Sequence, residues 1–171
     1  MSTFKTRLTS IFFVLILARV SHASDQTFQA TVTAHPDTEF NETQAVNFGR
    51  IATFVGAACS LGADGTVSGN CDSGGASASP GQINFSGITN NSIVSVSVTG
   101  GSSEFVTLTT QSNIQLGALQ IPLADNTPVV VYVGANANNF GISVFGEMEV
   151  IQTLVPGSTY TNDYTVEVSF Q

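Results

Sequence analysis

The sequence predicts an all-β fold, and three observations carry the prediction. Short stretches alternate apolar and polar residues with period two. Turn residues separate these stretches at intervals of about 8–12 residues. Beyond the N-terminal leader, no stretch sustains an apolar period of 3.6 residues. Many short strands at this spacing form a sandwich or a barrel. The expected architecture is an immunoglobulin-like Greek-key β-sandwich, a single domain over residues 37–171.

The chain opens on a leader. Met1 to Ser10 carries Lys5 and Arg7, Ile11 to Leu17 is continuously apolar, and Ser21-His22-Ala23 is a small-x-small cleavage signal. These are the three regions of a secretory signal peptide, with cleavage expected after Ala23. The apolar run is shorter than the roughly 20 residues that a spanning helix needs, and Arg19 interrupts it. No membrane attachment is therefore expected once the leader is removed.

The next stretch, Ser24 to Pro36, reads as a strand. Phe28, Ala30, Val32 and Ala34 alternate with polar neighbours, and Pro36 ends the run. Asp37 to Thr43 is polar and acidic and reads as a loop or linker. Ala45 to Val55 has mixed parity, with Gly49 as a bulge where the faces switch. Cys59 and Cys71 are the only cysteines, and Asp64-Gly65 between them is a tight-turn signal. An even count behind a signal peptide predicts one disulfide across a hairpin. Closing a loop this short stabilises by roughly 3 kcal/mol in the chain-entropy model.

Further strands are expected at Gln82–Ile88, Ser92–Thr99, Phe105–Thr110, Ile114–Leu123, Val129–Val133 and Ser143–Val155. Ser92–Thr99 turns Val94, Val96 and Val98 inward. Val129–Val133 is apolar on both faces, as in a central strand, and Ser143–Val155 bends at Gly146. The last strand alternates most cleanly. Tyr164, Val166, Val168 and Phe170 share one face; Thr165, Glu167 and Ser169 share the other. As the last strand of the sequence, it has an edge that no later segment covers. An open amphipathic edge invites another strand.

Charge excludes several partners. The chain carries 12 acidic residues against four Lys and Arg. Three of the four basic residues lie in the leader, which leaves Arg50 and a net charge of about −11 after cleavage. Such a chain has no means of neutralising phosphates, so neither nucleic acid nor anionic lipid is an expected partner. The scarcity of charge and the abundance of Ser, Thr, Asn, Gln and Gly suit an extracellular β-rich surface.

Catalytic groups are equally scarce. His35 is the one neutral-pH base left after cleavage, and no nucleophile motif lies near it. No nucleophile elbow, metalloprotease helix motif or phosphate loop occurs. Glu147 and Glu149 are the best-placed carboxylate pair, two apart on one strand; like charges so close read as a solvated face. Asp37, Glu39 and Glu42 offer hard oxygen ligands of the kind calcium takes, at a spacing that matches no known loop. Asn41-Glu42-Thr43 and Asn90-Asn91-Ser92 are short glycosylation sequons. The expectation is a non-enzyme with no cofactor and no metal.

Three stretches carry a family resemblance. Asn47-Phe48-Gly49-Arg50-Ile51 looks like the early strand of secreted bacterial pilin-like domains. Residues 83–98, INFSGITNNSIVSVSV, are similar to a stretch of the domain of unknown function family 4402. The ending GSTYTNDYTVEVSFQ resembles that family's terminus. It also resembles the C-terminal strand of chaperone–usher pilins and spore-coat-U-like subunits, whose conserved Gly and penultimate aromatic would be Gly157 and Phe170. In the archaic pilins a disulfide ties an early strand to a later one, so the local Cys59–Cys71 pair is a departure.

The resemblance implies an immunoglobulin-like fold lacking its last strand. A periplasmic chaperone would fill the gap first, and the N-terminal extension of another subunit would then replace it after passage through an outer-membrane usher. On that reading Phe28, Ala30, Val32 and Ala34 are the donor residues, and Tyr164, Val166, Val168 and Phe170 line the accepting edge. The partners are other copies or related subunits, and the chain is exported through the periplasm to the cell surface or beyond. The alternative is a self-contained secreted sandwich that binds a glycan or another surface ligand. There the N-terminal strand completes its own domain.

Overall fold

The computed structural model describes residues 38–72 and 78–171. The leader with Ala23, and the alternating stretch with Phe28, Ala30, Val32 and Ala34, lie outside the described residues. In chain order the strands are β1 (Glu39–Gln44), β2 (Arg50–Ile51), β3 (Ala58–Leu61), β4 (Val67–Gly69), β5 (Cys71–Asp72) and β6 (Gly81–Ser86). They continue with β7 (Ile93–Gly100), β8 (Val106–Leu116), β9 (Leu119–Ala124), β10 (Val129–Tyr132), β11 (Phe140–Val150) and β12 (Tyr164–Phe170). The described chain is all-β, its pairings are antiparallel, and its two main sheets pack as a sandwich.

The larger sheet is built on β11. One edge of β11 pairs with β8 from Phe140 to Val150. The other edge is shared: β6 pairs with Gly141 to Val144, and β3 with Gly146 to Glu149. Beyond these lie β1 outside β6, β4 outside β3, and β9 outside β8. The smaller sheet has the order β10-β7-β12. The short pair β2–β5 stands apart.

Alternation buries one row of each strand. Val94 and Val96 of β7 are wholly buried, as are Ile114 of β8 and Ile142 and Val144 of β11. Ile83 and Phe85 of β6 and Phe140 of β11 join the same cluster. Burying each such side chain contributes about 1.5–3 kcal/mol. Asp125, after β9, locks the two sheets together. Its Oδ1 accepts from the backbone N–H of Gly100 at 2.8 Å and of Thr110 at 3.1 Å, and from the Thr110 hydroxyl. Burial alone would push this carboxyl up, but those hydrogen bonds outweigh it and hold the carboxyl below its ordinary value.

The disulfide forms as the even cysteine count and the Asp64-Gly65 turn predicted. Cys59 and Cys71 are bonded, with Cα atoms 5.3 Å apart. β3 and β4 form the hairpin, but Cys59 faces Gly69 and not Cys71. Cys71 comes two residues later, on β5 opposite Ile51. The bond therefore ties the hairpin to the β2–β5 ribbon. Asp64 closes the turn by accepting from the Thr66 hydroxyl at 2.6 Å and its N–H at 3.0 Å. Both bonds, the hydroxyl's first, hold its carboxyl low.

Four expectations are corrected. Asp37–Thr43 is not a linker over its described length, because Glu39–Gln44 is β1, paired with β6. All six of its residues are exposed, so no buried row marks it as a strand. Phe105–Thr110 and Ile114–Leu123 regroup into one long strand, β8, and a hairpin at Gly117-Ala118 leading to β9. Gln111-Ser112-Asn113 looked like a break because Ser112 is a polar residue on the buried face. Val129–Val133 is not central. It supplies the edge strand β10, with Val130 and Tyr132 about 60% exposed. Of Ala45–Val55 only Arg50 and Ile51 are a strand. Gly49 adopts φ 77°, which breaks the run.

Candidate strand-accepting groove

β12 and β1 are the outermost strands on one side of the sandwich. β12 pairs with β7 from Tyr164↔Gly100 to Phe170↔Val94. Among the described residues no strand lies on its other edge. β1 pairs with β6 alone. The two edges meet at one point, where the Tyr164 hydroxyl donates to Glu42 Oε1 at 3.1 Å.

The four residues named for the accepting edge share one row of β12. Tyr164, Val166, Val168 and Phe170 all pack against the main core cluster. They are only half-buried, whereas their β7 neighbours Val94, Val96 and Val98 are at most 1% exposed. The core is thus thinly covered along β12. The facing wall is β1. Phe40 pairs with Phe85, and their rings meet edge to face at 5.0 Å. Phe85 is buried, yet Phe40 remains 50% exposed. Phe40 on the β1 edge and Val166 and Val168 on the β12 edge are thus partly open apolar side chains beside the core, and together they outline the candidate groove.

Its far end is polar. Gly81, at the start of β6, lets Tyr164 and Val46 close over it; a Cβ there would lie 2.7 Å from Val46 Cγ2 and 3.5 Å from the phenol oxygen. Burial first, then the Glu42 charge, then the hydrogen bond to Glu42 push the Tyr164 hydroxyl up to about 12. The β12 row thus runs from the half-buried apolar Val166, Val168 and Phe170 to a phenol–carboxylate contact at Tyr164. Sequence reading missed Phe40 and Glu42. The signal was present: Phe40 is the one large apolar residue in an acidic stretch.

The other singled-out residues do not assemble. Glu39 and Glu42 separate, Glu39 accepting from Ser86 and Glu42 from Tyr164. Asp37 and His35 lie outside the described residues. No group of three metal-ligating side chains occurs among the described residues. Glu147 and Glu149 are both exposed on β11, and Glu147 accepts from the Ser60 hydroxyl at 3.1 Å. Asn41 is on exposed β1, and Asn90 Oδ1 accepts from the N–H of Ala137 at 3.3 Å. No described helix is long and apolar enough to cross a membrane. Comparison of the chain with protein-family models, curated proteins and solved structures gives no match.

Proposed function

We propose that this protein is an exported structural subunit whose sandwich is completed by a β-strand laid along β12. It is not a catalyst. The observation that carries the reading is the half-burial of Val166 and Val168 beside an edge that no described strand occupies. An immunoglobulin-type sandwich sets strands A, B, E and D against C, F and G. Here β1-β6-β11-β8 correspond to the first set, and β7 and β12 to C and F, with β10 outside β7. Among the described residues no strand corresponds to G, whose place in that scheme is beside F. A strand added there supplies main-chain hydrogen bonds, and its alternate side chains cover Val166, Val168 and Phe40.

Phe28, Ala30, Val32 and Ala34 form the donor row. Chain direction favours donation between copies. β1 starts opposite Ser86, at the pole where the β6–β7 loop turns and where β12 ends. The five Cα steps from Ala34 to Glu39 span at most roughly 18 Å. A donor on β12 of its own molecule must then end near that pole, running parallel to β12. A donor from another copy is free to run antiparallel, the slightly more stable pairing. The partners on this reading are further copies or related subunits, with a periplasmic chaperone and an outer-membrane usher in transit. Its location is the cell surface or beyond.

The test compares the chain from Ser24 onward with one lacking Ser24–Pro36 on unboiled SDS gels. The longer chain is expected to give a ladder of SDS-resistant oligomers that collapses on boiling, and the shorter chain none. A longer chain that stays a stable monomer, with a shorter chain that unfolds, overturns the subunit reading. The N-terminal strand would then complete its own domain.

A further inference from the structure

The outer face of the larger sheet, turned away from the core, carries an uncharged cleft that the strand-accepting groove does not use. Its floor is Gly141, the second residue of β11. In register beside it stand Asn84 on β6 and Gln115 on β8. A Cβ at Gly141 would lie 3.0 Å from the Ile83 carbonyl and 3.1 Å from Asn84 Oδ1. Only a glycine leaves this floor open between the two amides. Asn138 and Asn139, from the turn before β11, close the back of a cleft of about 650 Å³. The Gly117 N–H, donating to the Asn139 carbonyl at 3.1 Å, holds that turn against the β8–β9 hairpin.

We infer that this cleft binds a neutral saccharide unit. Each side-chain amide offers two donors and one acceptor, the complement of a vicinal hydroxyl pair. Four amides converge on the cleft, and no lining residue is charged. The amides continue along the sheet: Gln115 Nε2 lies 3.5 Å from Gln82 Oε1, and Gln82 Nε2 donates to the Ser143 hydroxyl at 3.0 Å. That network ties Gln115, a lining residue, to the polar row beside the cleft. The volume lies in the range of small-ligand sites. A peptide finds no free strand edge here, because β11 is paired on both sides. Phosphates and other anions find no cation.

No residue of β12 lines the cleft. It lies on the opposite face of the larger sheet, so a polymer would present one cleft per subunit. Repetition raises the avidity of a weak site by roughly 10²–10⁴.

Saturation-transfer NMR on the chain from Ser24 onward tests the inference. The probes are a panel of neutral gluco-, galacto-, manno- and fuco-configured disaccharides at millimolar concentration, with sialylated counterparts. At least one neutral sugar is expected to receive saturation, and its sialylated form less. The double variant N84A/Q115A and the turn variant N138A are each expected to weaken that signal tenfold or more. Glu147→Gln, on the same sheet but away from the cleft, retains it. The inference is overturned if no neutral sugar is saturated, if the sialylated forms are preferred, or if N84A/Q115A and N138A, folded by circular dichroism, bind as the parent does.

Discussion

Tyr164 joins the two walls of the groove through a single hydroxyl. Burial first, then the Glu42 charge, then the hydrogen bond to Glu42 together raise its ionisation to about 12. A raised tyrosine favours the neutral phenol in the folded chain. Its contribution is complete below the ordinary tyrosine value of about 10 and is lost as pH rises through about 12. Ultraviolet titration at the phenolate band should therefore show a late step from Tyr164 near 12. Glu42→Gln keeps an acceptor and removes the charge. The late step should move down in that variant while staying above 10, because burial remains. An unmoved step would mean that Glu42 does not face the phenol. Neither residue's role was legible in the sequence. Tyr164 was readable as the first member of an inward row, but Glu42 appeared only as one acid in a polar stretch. A contact between positions so far apart in the chain leaves no local pattern.

Single strands show why some elements were readable and others were not. β6, β7 and β12 each bury one row and expose the other, so period two marks them. β1 buries neither row, and β10 carries valines on both faces of an exposed edge; in both, position in the sheet overrides composition. β11 was legible in part: the expected Ser143–Val155 overlaps it, but the strand runs from Phe140 to Val150, and its register with β8 is unbroken at Gly146. Gly146 adopts φ 139°, and a Cβ there would lie 2.2 Å from the Thr109 carbonyl oxygen and 2.8 Å from the Gln111 nitrogen of β8. Gly146 falls where the opposite edge of β11 passes from β6 to β3. Gly146→Ala should therefore cost on the order of 2–4 kcal/mol, since backbone on the central pair must separate. Chemical denaturation of the purified variant measures this. A loss below about 1 kcal/mol would show that the β8–β11 contact is looser than its geometry indicates.

At the scale of the whole molecule, two sheets enclose a core whose coverage is uneven. Val94, Val96 and Val98 are sealed on β7, while the row on neighbouring β12 is half-open. Alternation in the sequence revealed the inward row of β12. Its place as the last strand suggested an open edge, but it could not reveal that β12 pairs with β7 or that Tyr164 meets Glu42 of β1, because strand order is set by long-range pairing. The central proposal is that the β12 edge takes residues 27–34 as an added strand. Thermal unfolding of the chain lacking Ser24–Pro36, with and without a synthetic peptide of those residues, tests it most directly. At a hundred times its dissociation constant a bound peptide adds about 2.7 kcal/mol. That corresponds to a rise in melting temperature on the order of 10 °C. The account predicts this rise, and its absence with a peptide carrying Val32→Asp or with the domain variant Val168→Asp. A melting temperature indifferent to the peptide, in a shortened chain that is folded, would contradict it.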